Sequence, residues 1–159
     1  MVGPRLTGPA GSASTKVVRL VDADGVASAL VALAERSTTS LVGVARINGG
    51  SWSHSVPLIM YPGAQVLSTG VESGGGFVIL AARPHRSPVL DMESGPGGGW
   101  HSLSPPPRGT AAVAVEPGGV IAALVVDSTL FTEWRLGATA HTWSKIGSVR
   151  VPIQFGSSS

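Results

Sequence analysis

The sequence predicts an all-β protein made of three four-stranded repeats, and three observations lead there. The first is an internal period of about forty-five residues, a length at which one supersecondary unit recurs along a chain. It is marked by Trp52, Trp100 and Trp143, which stand forty-eight and forty-three residues apart. The second is composition: 43% hydrophobic, only 13% charged, with 22 Gly and 12 Pro among 159 residues. Gly and Pro sit at turns rather than in tracts, and a disordered chain would carry more charge and less Val, Leu and Ile. The third is a shared order of segments: a short apolar strand, a turn, a wholly apolar strand, an alternating strand, and then the tryptophan.

Copy one reads KVVRLV, the turn DADG, VASALVAL, SLVGVARI and NGGSW. Copy two reads AQVLSTGVE, SGGG, FVILAA, SPVLDM and ESGPGGGW. Copy three reads TAAVAVE, PGG, VIAALVV, TLFTEWRL and GATAHTW. Glycine in each turn supplies the positive φ that a tight hairpin needs. The segment after the turn is apolar throughout, as expected of a strand buried on both faces. A buried helix competes for VASALVALAER, whose Ala and Leu favour it. Its counterparts carry Phe77, Val78, Ile79, Ile121, Val125 and Val126, and these favour strand. The next segments alternate between apolar and polar, which predicts strands with one wet face. Pro57, Pro105 and Pro152 follow the tryptophans, and proline belongs at a sheet edge or strand end. The last strand of each unit is therefore expected outermost, which describes a propeller blade. The predicted organisation is a flexible segment over 1–14, a repeat domain over 15–155 with units 15–61, 62–107 and 108–155, and a tail over 156–159.

The units resemble those of bacterial β-propellers that include sialidase-like (BNR-repeat) proteins and tryptophan-repeat lectins. Carrying the resemblance are the Gly-Gly-Ser-Trp52 and Gly-Gly-Gly-Trp100 endings and the Pro-Gly-Gly hairpin with the ALVVD strand after it. Of the family's Ser-x-Asp-x-Gly-x-x-Trp box, Gly97 matches before Trp100 and Gly49 before Trp52. The resemblance implies an incomplete propeller, or one completed by oligomerisation, because closed propellers have four to eight blades. It also implies a non-catalytic binding or interaction module for a glycan or a protein, and secretion. The alternatives are a remnant or fragment of a sialidase-like glycosidase and a structural scaffold for assembly. A β-trefoil, which closes in three copies, is the alternative fold. Self-association or missing upstream blades is expected from open sheet faces.

Composition excludes several function classes. With no cysteine, disulfides, thiolate metal sites and a cysteine nucleophile are ruled out. The eleven basic residues are scattered and aromatic residues make up 5%, so no nucleic-acid surface is expected. No apolar run is long enough to cross a bilayer as a helix, and the opening residues do not read as a signal peptide.

Three equivalent tryptophans, each near a histidine, form the candidate ligand site: Trp52, Trp100, Trp143 and the additional Trp134, with His54, His101 and His141. Such rings stack on sugars, but they also pack between blades as core. No catalytic residue, metal ligand or cofactor is assigned. Tyr61 reads as a turn residue, and Asp22-x-Asp24-Gly25 as a plain turn without the remaining ligands of a calcium loop. Asp91 and Glu93, two apart on one strand, point the same way. They are expected on a solvated face, although their spacing would suit a pair of glycosidase carboxylates.

Overall fold

The computed structural model describes residues 14–23, 25–35 and 38–152, which form strands and turns without a helix. The first sheet holds β1 (Ser14–Ala23), β2 (Val26–Glu35), β3 (Thr38–Ile47), β4 (Trp52–His54) and β5 (Leu58–Ile59). The second holds β6 (Gln65–Val71), β7 (Phe77–Arg83), β8 (Arg86–Glu93) and β9 (Trp100–Ser102). The third holds β10 (Thr110–Val115), β11 (Ile121–Asp127), β12 (Leu130–Leu136) and β13 (Ser144–Arg150). Each sheet is an antiparallel meander in chain order. In the first, β4 and β5 both pair with β3, so the outer strand is interrupted over 55–57.

The helix alternative for VASALVALAER gives way to strand. β2 pairs with β3 along its whole length, from Val26↔Ile47 to Glu35↔Thr38. Its two faces are both apolar and both covered: Leu30 on one side, Val31 and Leu33 on the other. The glycine turns also repeat in detail. In the second sheet the Glu72 N–H donates to the Gly76 carbonyl and the Gly75 N–H to the Glu72 carbonyl. In the third, the Glu116 N–H donates to Val120 and the Gly119 N–H to Glu116.

The sheets stack face to face, and the second is the middle layer. Phe77, Ile79 and Ala81 pack with Leu30, Leu41 and Met60 of the first unit. Val78, Leu80 and Leu90 pack with Val113, Ile121, Ala123 and Leu136 of the third. Phe77 to Leu80 are consequently 0% exposed, which is why this strand needs an unbroken apolar run. First strands of neighbouring sheets also touch. Ser68 Oγ accepts from the Val113 N–H at 3.1 Å, and Arg19 donates to Thr69 Oγ1 at 3.0 Å and to the Thr69 carbonyl. A Cβ on Gly70 would come within 2.9 Å of Val115 Cγ2, so β6 and β10 approach closely only because that side chain is absent.

Both outward faces carry exposed apolar residues, Val17 and Leu20 of β1 on the first sheet among them. On the first sheet, Val31, Leu33, Val42 and Val44 form a buried cluster with Trp52 against it. On the third, Leu124 and Val149 are exposed, and every residue of β13 is exposed.

One bond recurs at each junction. Trp100 Nε1 donates to the Val56 carbonyl at 2.8 Å, and Trp143 Nε1 donates to the Ser104 carbonyl at 3.2 Å. Val56 lies four residues after Trp52, and Ser104 four residues after Trp100. The tryptophans of the second and third units therefore each clip onto the outer strand region of the unit before. Trp100→Phe and Trp143→Phe each keep a six-membered ring but remove the donor. Each is expected to lower unfolding free energy by about 1–2 kcal/mol in urea titration. Unchanged midpoints in both variants would show that the repeated bond contributes nothing.

Candidate functional site

The tryptophans are half-buried, and each belongs to packing between or on sheets. Trp52 carries the Arg46 guanidinium 5.4 Å above its ring. Trp100 and Trp143 bridge the junctions, and Trp134 packs on the core between the second and third sheets. The three histidines are exposed. His54 Nδ1 lies 3.1 Å from the Ser55 carbonyl, and His101 Nδ1 3.2 Å from Ser94 Oγ. His141 offers its backbone carbonyl to Ser104 Oγ at 2.7 Å. Among the described residues no three His, Asp or Glu side chains are placed to hold a metal ion. Tyr61 sits in its turn under Arg86, whose guanidinium is 5.4 Å from the ring. Asp24 lies outside the described residues. Gly25 beside it has φ 75° and accepts the Asn48 N–H at 2.7 Å, as a turn residue would.

The carboxylate pair departs from expectation. Asp91 is half-buried and accepts a bond from Ser102 Oγ at 2.8 Å. Glu93 is not on a solvated face: it is 1% exposed. Register explains why. Trp52 pairs with Arg46, Trp100 pairs with Glu93, and Trp143 precedes the Ser144↔Arg135 pair, which sets it opposite Leu136. Arg46, Glu93 and Leu136 thus share one position of the repeat. Leu136 fills it with a core side chain at the junction of the second and third sheets. Glu93 fills the same place at the junction of the first and second.

The first sheet makes room for it with a glycine. A Cβ on Gly43 would run into Glu93 Oε2 and stand 2.8 Å from Cδ. Glu93 Oε2 has no hydrogen-bond partner. Burial raises the Glu93 carboxyl to about 7; a hydrogen bond from the Gly97 backbone opposes the rise, and the nearby Glu72 charge adds to it. Two signals in the sequence pointed here: a glycine inside the apolar strand LVGVA, and a leucine at the matching place of the third copy.

Next to this junction a cleft of about 190 Å³ opens between the first two sheets, at the end where β1 turns into β2 and β6 into β7. Val21, Val26, Val71, Ser28, Glu72 and Ser73 line it. Gly75 seals one side, since a Cβ there would be 2.6 Å from Val26 Cγ1. Ser28 is 1% exposed and its Oγ has no hydrogen-bond partner. The Glu72 carboxyl is pushed above the ordinary carboxylate range by burial, against the pull of the His101 charge. A Cβ on Gly76 would lie 3.1 Å from both Glu72 Oε2 and the Glu93 carbonyl, which puts Glu72 beside the Glu93 backbone. Sequence reasoning passed over Ser28, Glu72 and Ser73 because they line one cleft only when two units stack.

The chain matches no known family model, no curated protein and no solved structure.

Gly43→Ala is expected to cost about 3 kcal/mol, since neither β3 nor the packed Glu93 can move aside freely. In a Glu93→Ala background the same change should cost under about 1 kcal/mol. A double-mutant cycle by equilibrium unfolding reads the difference, and additive costs would contradict the contact. Glu93 also sets a pH dependence. Its proton is held to about pH 7 in the folded state and lost near 4.5 when unfolded. The folded state binds more protons in between, so stability is full below about 4.5, falls with rising pH, and bottoms out above about 7. The fall should be roughly 3 kcal/mol. Urea midpoints at about pH 5 and about pH 8 should differ for the native chain and much less for Glu93→Gln. A native chain as flat as the variant would rule this out.

Proposed function

We propose that the chain is a non-catalytic binding module of blade-like repeats that seats a small ligand, or one group of a larger one, between its first and second sheets. The observation that carries this reading is Ser28. A buried hydroxyl without a partner costs free energy, and Ser28 is among the residues lining the cleft, on the same face of β2 as Val26 and Leu30. Apolar walls with a few converging polar groups make the usual composition of a ligand site. Binding rather than turnover is supported by the chemistry lining the cleft, which pairs no nucleophile with a base. The repeat tryptophans support the blade-like architecture of the proposal. With the Nε1 groups of Trp100 and Trp143 committed to backbone carbonyls, recognition falls to the cleft instead.

Methyl NMR on valine-labelled protein tests this with a panel of monosaccharides, small diols and alkylamines. At least one probe class should shift Val21, Val26 and Val71 saturably, and Ser28→Ala should weaken that probe by about tenfold. Shifts confined to other valines, or none at all, would reject the cleft as the site.

A further inference from the structure

We propose that a concave surface at the end of the second sheet where β7 turns into β8 binds the phosphate of a phosphate monoester. It lies at the other end of β7 from the cleft and stands apart from it. The concavity, of about 510 Å³, is lined by His85, Arg86, Ser87, Pro88 and Arg108. The first four come from the β7–β8 turn and the start of β8, and Arg108 from the connection leading to β10. Two guanidinium groups, an imidazole and a hydroxyl thus share one surface, with no carboxylate among them.

Local structure holds these groups in place and leaves their charge unanswered. Arg83 and Arg86 pair directly across the hairpin, an arrangement in which like charges repel. Arg83 is tied through Nε and Nη2 to the Ser87 carbonyl, each at 3.0 Å. The Arg86 guanidinium lies 5.4 Å from the Tyr61 ring, a contact that positions it without cancelling its charge. Between the two arginines His85 has φ 57°, a left-handed conformation uncommon for a residue with a Cβ. Arg108 sits in a turn closed by Thr110, whose N–H and hydroxyl both donate to the Pro107 carbonyl. Pro105, Pro106 and Pro107 run into that turn and restrict its backbone. Among the described residues Arg108 has neither a hydrogen bond nor an ion pair, and the ion pairs there are all made by Arg135. Asp127 ends β11 next to Val126, whose N–H donates to the Gly109 carbonyl, yet it does not pair with Arg108.

Charge and shape select the ligand. The planar N–H fork of each guanidinium matches two oxygens of a phosphate, and the Ser87 hydroxyl and the His85 ring add donors. Arg86 and Arg108 without ion pairs call for two negative charges. A phosphate monoester carries close to two at neutral pH, whereas a sulfate ester or a carboxylate carries one. The volume falls in the range of small-molecule sites and leaves space for the alcohol that the phosphate esterifies. No bond is made or broken.

Titration of nitrogen-labelled protein with propyl phosphate at neutral pH, followed by amide NMR, tests this, with propyl sulfate and propanol as matched probes. Propyl phosphate should shift the Ser87 and Arg108 amides saturably and bind at least fivefold more tightly than propyl sulfate, while propanol leaves them in place. Arg86→Gln and Arg108→Gln should each weaken it at least tenfold. Lys145→Gln, which removes the same charge from β13, should leave it unchanged, and the amide spectra of the unliganded variants report that all three are folded. The Val21 and Val71 amides at the cleft should stay still, so the outcome is independent of what the cleft binds. Propyl sulfate binding as tightly as the phosphate would overturn the monoester assignment and leave a general oxyanion site. Equal weakening by Lys145→Gln would reduce the effect to net charge and reject the site. Ser87 and Arg108 amides that do not respond to propyl phosphate would reject it outright.

Discussion

The middle sheet must be apolar on both faces, and the rest of the structure depends on that constraint. Two outer sheets pack on it at the usual spacing of about 10 Å, so neither face of β7 reaches water. Phe77, Val78, Ile79 and Leu80 meet the requirement without a break. Leu90 of β8 meets it on the side of the third sheet. Because the sheets stack rather than pair edge to edge, the link between units falls to side chains. The repeated tryptophan bond supplies that link in a form each copy can reuse: a large apolar ring fills the junction and its Nε1 satisfies a carbonyl of the preceding unit.

Against that apolar requirement Glu93 is a deliberate-looking exception with a cost. At the equivalent place in the next junction the protein uses Leu136, which needs no partner. A carboxyl there demands a cavity, supplied by Gly43, and a proton, supplied by solvent below neutral pH. The junction of the first and second sheets is thereby more polar and more pH-sensitive than the junction of the second and third. It also borders the cleft that holds Ser28 and Glu72. Natural proteins break their own packing rules mainly where function requires it, and here the broken rule and the cleft occupy the same junction.

Both ends of the stack expose apolar side chains, Val17 and Leu20 on the first sheet among them, but they differ in detail. Val31, Val42 and Val44 on the first sheet are buried, whereas β13 and Leu124 on the third face solvent. Ile146, Val149 and Val151 add exposed apolar side chains on the same edge. An exposed edge strand with apolar side chains is the part of a β-protein most open to pairing with another chain. Lys145 and Arg150 on β13 place charge along that edge, a common device against indiscriminate pairing.

Much of the fold was legible in the chain because it depends on neighbours along the chain. Apolar runs, alternation, Gly at the turns Glu72–Gly76 and Glu116–Val120, and Pro after the outer strands are local patterns, and comparing three copies resolved the one ambiguous segment, VASALVALAER, as strand. The site was legible only in fragments. Asp91 and Glu93 were visible as a pair on one face, but alternation says which residues share a face and not what that face meets. Burial of Glu93 was decided by Gly43, fifty residues earlier and on another sheet. The cleft was decided by the stacking of two hairpin ends, which set Ser28, Glu72 and Ser73 along one lining. The sequence by itself determined the strands, their order and the repeat, because backbone propensity and turn chemistry act over a few residues. Tertiary structure alone decided which carboxyl lost its water and which hydroxyl lost its partner, because desolvation is set by whatever packs opposite.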